Sequence, residues 1–213
     1  MQRESPAKEE RLRRRLAISA LETTGEVGHR RLTVQQILDR TGTSRVSFYS
    51  FFTNKGDCYA AGYSLASERL SADLLQATAA VGGWQSGFHL ALHRVAEFLL
   101  AEPQLARGLL AEVHVAGGAA LAKRDEVFER LSHAVDAARR ETTAPHSPPP
   151  ISATFILSAI EEAVVSSLLR GRPDQFAAAV PELAYLGVSV YFGEKEARRQ
   201  LKISPGRRQG PEP

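Results

Sequence analysis

Ser44, Arg45, Val46, Ser47 and Tyr49 place five contact-capable side chains within six consecutive positions. Arg45 carries a planar fork of donors that can take O6 and N7 of guanine together, a contact worth about 1–3 kcal/mol of base discrimination. Ser44 and Ser47 can bond base edges or phosphates, and Val46 can touch a thymine methyl. Tyr49 can reach a phosphate through its hydroxyl. Phe48 falls on the opposite side and reads as core. These types support recognition of double-stranded DNA rather than bond-making chemistry.

Side chains of this kind need a short helix on a rigid support. Ser44 can cap a helix running through Arg45–Tyr49. Before it, Thr33 and Gln36 have capping-box spacing, and Val34, Ile37 and Leu38 give an apolar face at helical period. Gly42 breaks that helix as a C-terminal glycine does. Two short helices about a glycine turn form a helix-turn-helix, whose second helix can enter the major groove. Thr33 and Lys55 each open a helix, where backbone N–H groups favour a phosphate.

The run Ile37-Leu38-Asp39-Arg40-Thr41-Gly42-Thr43-Ser44-Arg45-Val46-Ser47-Phe48-Tyr49-Ser50-Phe51-Phe52-Thr53-Asn54-Lys55-Gly56-Asp57-Cys58 resembles the DNA-binding domain of the tetracycline-repressor (TetR) family. The resemblance extends over more than twenty positions without a gap. Val46 stands where that family has a small residue, Phe51 where it has His or Tyr, and Cys58 where it has Leu. The resemblance implies phosphate contacts for Tyr49 and Lys55. It further implies a small-molecule effector pocket in the central helices and a homodimer formed by the last two long helices.

Charge is distributed accordingly. The net charge is only +3. Residues 1–58 carry 11 Lys and Arg against 7 Asp and Glu, residues 59–193 carry 10 against 14, and the remainder carries 6 against 3. Positive charge therefore collects with the helix-turn-helix and at the C-terminal end, as expected where one end meets phosphate. The run Arg11, Arg13, Arg14 and Arg15 is either part of that surface or a solvated helix face.

The expected architecture is all-α, with about nine helices in an N-terminal helix-turn-helix domain (1–54), a helical effector-binding and dimerisation domain (55–193) and a basic, disordered tail (194–213). Helices are expected at 10–24, in the two motif segments, at 55–79, 84–101, 103–117, 119–140, 151–169 and 174–192. Residues 1–9 and the proline-rich stretch 144–150 are expected outside them. Hydrophobic residues make up 43 %, enough for a sizeable core, and one Cys excludes a disulfide framework. No apolar run reads as a membrane span, and the first ten residues lack an apolar signal core, so a cytoplasmic protein is expected.

Tyr63, Trp84, Phe88, His89, His93, His114 and Phe128 mix aromatic surface with a few polar groups, as a mostly apolar ligand pocket does. Ordinary core packing would give the same pattern. Phe155, Ile156, Ile160 and Val164, then Leu183, Leu186 and Val190, make the last two long helices more apolar than one buried face requires. They suit either a buried helix pair or a dimer interface. His89 and His93 have metal-ligand spacing, but the zinc-protease motif is missing and no third ligand is evident, so no metal is expected. Glu161 and Glu162 are adjacent and point apart on a helix. The phosphate-loop, dinucleotide and nucleophile-elbow motifs are missing as well, so neither catalysis nor a cofactor is expected. The leading reading is a DNA-binding transcriptional regulator, a repressor released from a palindromic operator by a small-molecule effector. The runner-up is a helical protein-interaction module with a degenerate helix-turn-helix.

Overall fold

The computed structural model describes residues 6–142 and 147–201. Eleven α-helices and no strands occur among them. The N-terminal head is formed by α1 (Pro6–Val27), α2 (Val34–Thr41) and α3 (Arg45–Tyr49). Then come α4 (Lys55–Ala79), α5 (Trp84–Ala101), α6 (Pro103–Ala106), α7 (Val113–Ala116) and α8 (Gly118–Asp136). The last three are α9 (Ser152–Leu169), α10 (Pro173–Phe192) and α11 (Glu194–Gln200).

Several expectations need correction. The first helix starts at Pro6 and continues through Gly25 to Val27. Gly25 does not end it: a Cβ there would lie 1.9 Å from the Gln104 carbonyl oxygen, so glycine permits a close approach instead. Gly28, at φ 85°, makes the turn. The single helix expected over 103–117 is split by a π-helical turn, Arg107–Ala111, between α6 and α7. The one expected over 119–140 ends as a 3₁₀ turn, Ala137–Arg140. Residues 194–200, expected in the disordered tail, form α11, whose Ala197 and Gln200 are buried. Alternating acidic and basic residues hid that short apolar contact. The expectations for residues 1–5, 144–146 and 202–213 lie outside the described residues.

Three apolar clusters hold the elements. Leu16, Ala17, Ile37, Phe48, Phe52 and Cys58 fill the head. Leu21 of α1, Tyr59 and Tyr63 of α4, and Leu105, Leu109 and Val113 form a bridging cluster. The largest joins α5, α9 and α10 through Phe88, Leu92, Ile156, Ile160, Val180 and Ala184. Ile156, Ile160 and Val164, expected at a dimer interface, are thus buried within the subunit at 6 %, 8 % and 4 % exposure. The helix α9 is also long and apolar enough by length and composition to cross a membrane, contrary to the sequence reading, and this inward row accounts for much of its apolar character.

Glycines set how closely the layers approach. A Cβ at Gly62 of α4 would stand 2.2 Å from the Ala17 carbonyl oxygen of α1. One at Gly108 in the π turn would stand 2.1 Å from the Leu21 carbonyl oxygen. Because backbone rather than a movable side chain meets the added atom, Gly62→Ala is expected to destabilise the fold by about 1–3 kcal/mol. Each kcal/mol lowers the melting temperature by about 2–4 °C in a chain of this size. Gly82→Ala, which meets open space, should leave the melt unchanged. Equal melting curves for the two variants would refute this account of the α1–α4 contact.

Candidate functional site

The helix-turn-helix forms as its sequence dictates. Thr33 is in extended conformation and accepts a hydrogen bond from the Gln36 backbone N–H, while the Gln36 side chain accepts from the Thr33 N–H, completing a capping box. Gly42 lies in the left-handed region at φ 61°, which lets the chain turn within two residues to Ser44. Ser44 accepts from the Ser47 N–H and starts α3. Phe48 is fully buried and anchors α3 to the head core.

Burial of Phe48 forces the other side of α3 outward. Val46 is 83 % exposed and Tyr49 51 % exposed, and Arg45 is exposed beside them. An apolar residue this exposed on a well-anchored helix has no packing role inside the subunit. The Arg45 guanidinium donates to Gln35 Oε1 of α2 at 3.0 Å, which braces it between the two motif helices. Ser47 and Ser44 share a hydroxyl–hydroxyl contact of 2.9 Å. Arg15 of α1 donates to Thr43 Oγ1 in the turn at 3.4 Å, so one member of the basic run lies beside the motif. Arg13 and Arg14 pair with Glu10 on their own helix.

Lys55, for which the resemblance implies a phosphate contact, is engaged within the protein in the absence of DNA. Its ammonium donates to the carbonyls of Leu32, Arg30 and His29 at 2.6, 3.3 and 3.4 Å. An ammonium has three N–H donors, so these carbonyls account for all of them. Lys55 ties the start of α4 to the turn preceding α2. The carbonyls that capture it end a 3₁₀ turn, His29–Arg31, which the sequence reading did not foresee.

Behind the head, two adjoining chambers lie among α4, α5, α8 and α9. The larger is about 330 Å³ and includes Trp84 and Phe88 in its wall, their rings stacked at 4.7 Å. The smaller is about 130 Å³ and includes Tyr63 and Phe128. Leu74, Val95, Leu131, Leu157 and Ile160 border both. Four of the seven expected pocket residues therefore line the chambers. His89 and His93 do not: Phe88 turns toward the chamber, and a helix rotates about 100° per residue, carrying His89 away. The His89 and His93 rings meet edge-on at 4.7 Å. His114 is 55 % exposed, outside both chambers, with Nε2 4.0 Å from Glu161 Oε1. Among the described residues no group of three His, Cys, Asp or Glu side chains could hold a metal. The shared aliphatic wall was missed because, in sequence, a cavity-lining Leu and a core Leu look alike.

The polar groups near the chambers are mostly engaged. Arg124 of α8 pairs with both carboxylate oxygens of Glu161 on α9, donates to Asp125, and stacks over Phe128 at 4.4 Å. Glu68 of α4 accepts from Lys123 at 2.6 Å and from Arg130 at 2.9 Å, both on α8. Those bonds hold its carboxyl below the usual range. The Tyr59 hydroxyl donates to the Gly108 carbonyl in the π turn at 2.8 Å. Thus α4 starts at the head, borders both chambers and is tied to α8 and to the π turn. Cys58 lies in the head core; burial pushes its thiol up to about 12, so it is inert packing.

No family model matches the chain, and no curated protein does. Solved structures are similar. The transcriptional regulator FadR from Bacillus subtilis, in complex with stearoyl-CoA, superimposes with a TM-score of 0.70 at 17 % identity, over 82 % of this chain and 97 % of that one. A TetR family transcription regulator from Marinobacter aquaeolei VT8 gives 0.67 at 16 % identity, over 85 % and 98 %. A TetR-family transcriptional regulator from Streptomyces coelicolor gives 0.66 at 19 % identity, over 92 % and 90 %. The chain has the fold of the TetR-type regulators.

Two histidines make stability depend on pH. Burial, then the adjacent Lys55 charge, pushes His29 below its ordinary 6.5, and burial, then His93, does so for His89. The unfolded state then binds more protons just below that value, so stability falls as pH drops through it. Chemical unfolding should show a lower midpoint at about pH 5.5 than at about pH 7.5, and His89→Leu should flatten that difference; a pH-independent midpoint would contradict it. Lys55→Met should lower stability by about 1–3 kcal/mol in the absence of DNA, which a thermal melt would detect.

Proposed function

We propose that the chain is a DNA-binding transcriptional regulator, a homodimeric repressor released from its operator by a small-molecule effector. The observation that carries this reading is the α3 surface. Arg45, Val46 and Tyr49 are exposed together on a helix whose other side is locked by Phe48. Residues 1–54 form the reading head and 55–193 the effector and dimerisation part. Arg45 reads a base edge, Val46 packs on a thymine methyl, Ser44 and Ser47 bond bases or phosphates, and Thr33 and Tyr49 hold phosphates. Such a protein works in the cytoplasm, where its operator is.

The dimer rests on α9 and α10. After the inward residues are removed, Phe155 remains 68 % exposed, Leu186 57 % and Val190 37 %, with Leu183 partly buried. Leu186 and Val190 are four apart and share one side of α10. Large apolar residues left outward on two adjacent long helices suit a self-complementary contact between copies. A dimer sets two α3 helices about 34–36 Å apart, or a multiple, on a palindromic site. An effector in the chambers acts on α4 and changes that spacing; a coupling of about 1–3 kcal/mol changes operator affinity about 5–150-fold.

Selection of bound sequences from random DNA should return a palindrome. Arg45→Ala should then cost about 1–3 kcal/mol at one base position per half-site, whereas Tyr49→Phe should weaken all sequences alike. A flat salt dependence of binding would sink the reading. Leu186→Glu should shift the solution mass toward the monomer and reduce operator affinity together; a wild-type monomer at working concentration would defeat the dimer.

A further inference from the structure

The charge arrangement around the chambers restricts what can occupy them. The chamber walls are aliphatic and aromatic apart from a few polar side chains, and those are almost all engaged within the protein. In the larger chamber Thr78 donates to the Leu75 carbonyl at 2.8 Å, and Trp84 Nε1 donates to the Ala134 carbonyl at 3.4 Å. Glu141 accepts from the Trp84 backbone N–H at 2.7 Å, capping α5. In the smaller chamber Arg124 and Glu161 neutralise one another through two hydrogen bonds, and Asp125 takes a further donor of Arg124.

Tyr63 is the exception. It is 3 % exposed and lines the smaller chamber, and its hydroxyl has no hydrogen-bond partner among the described residues. Burial pushes that hydroxyl well above the ordinary phenol range, so it remains a neutral donor. The oxygen itself is not among the fully buried unpaired atoms, so it stays open to a bound acceptor, which can pair with it. A carboxylate or phosphate would sit close to Glu161 with no unmatched cation to receive it, and burying such a charge is far more expensive than burying a neutral oxygen.

Resting on the effector-pocket reading above, we infer that the two chambers together bind one elongated, uncharged, oxygen-bearing lipid-like molecule. Its hydroxyl or carbonyl head accepts from Tyr63 in the smaller chamber. Its hydrocarbon tail passes the wall shared at Leu74, Leu131 and Ile160 into the larger chamber against Trp84. A hydroxyl head can in addition donate to Glu161.

Trp84 is the only tryptophan in the chain, so its fluorescence reports occupancy of the larger chamber. The purified full-length protein is titrated with dodecanol, dodecane, laurate and lauroyl-CoA. Dodecanol is expected to bind about tenfold more tightly than dodecane or either anionic probe, one unmade hydrogen bond being worth about that factor. Tyr63→Phe should erase the advantage of dodecanol over dodecane and leave dodecane binding unchanged. That variant loses no protein contact, so its fold is retained. From hexanol to dodecanol affinity should rise up to about fourfold per buried methylene, and Ala91→Phe, which fills the larger chamber, should halt the rise at a shorter alcohol. Laurate or lauroyl-CoA binding as tightly as dodecanol, or a dodecanol preference that survives in Tyr63→Phe, would overturn the assignment. So would failure of every probe to alter Trp84 emission. Release of operator DNA is followed in parallel. Dodecanol binding with the stated preference but without DNA release supports the ligand class and removes the effector role. Release by an anionic probe alone does the reverse.

Discussion

The structure depends on the close approach of α1 to α4 and to the π turn. Gly62 of α4 against Ala17 of α1, Gly108 against Leu21, and Gly25 against Gln104 leave no room for a methyl group at any of the three places. These are contacts of backbone against backbone, and interiors packed this closely transmit displacement rather than absorb it. The same π turn that supplies Gly108 supplies Leu109 and Leu110 to the smaller chamber and accepts the Tyr59 hydroxyl. A change in the chamber wall is therefore one residue removed from α1, the first helix of the head. Where an apolar cluster alone joined the parts, side chains could have taken up the change by switching rotamers.

Magnitudes separate the contacts that the exposed α3 surface could make from those that hold it. The guanine contact proposed for Arg45 would outweigh what any exposed ion pair of α1 contributes, since surface pairs are worth about 0–1 kcal/mol. The Arg13 and Arg14 pairs with Glu10 are of that exposed kind. By contrast, Lys55 has charged hydrogen bonds to three carbonyls, and its loss leaves those oxygens to be satisfied otherwise. Its role is to fix the angle at which the motif meets α4. A lysine at a helix start has two physical options, an external phosphate or the protein's own carbonyls, and in the absence of DNA the turn at 29–31 supplies the second.

Local rules made much of the head legible in advance. The Thr33–Gln36 capping box, the left-handed Gly42 and the Ser44 cap all follow from residue type and spacing, because each is satisfied within four residues. Helices over 55–79 and 84–101 were legible for the same reason, their apolar period and flanking glycines being local. The π turn at 107–111 was not, since it exists to bring Gly108 against α1, a partner more than eighty residues away. Helix α11 was missed because one buried alanine and one buried glutamine among charges leave no apolar stripe. Among the expected pocket residues, Tyr63, Trp84, Phe88 and Phe128 were found by aromatic character, whereas the aliphatic wall carried no mark.

The apolar excess of the last two long helices shows the boundary most plainly. Sequence alone determined that α9 and α10 are more apolar than one buried face needs, because composition counts methyl groups without regard to direction. Only the tertiary structure decided which go where. Ile156, Ile160 and Val164 turn inward into the largest apolar cluster, while Phe155, Leu186 and Val190 are left outside. Likewise, the sequence determined that Arg45, Val46 and Tyr49 lie on one short helix. Burial of Phe48 in a core assembled from α1, α2 and α4 decided that this side of the helix faces out. The physical reason is the same in both cases: helical period sets which residues share a face, but the direction of that face depends on partners distant in the chain.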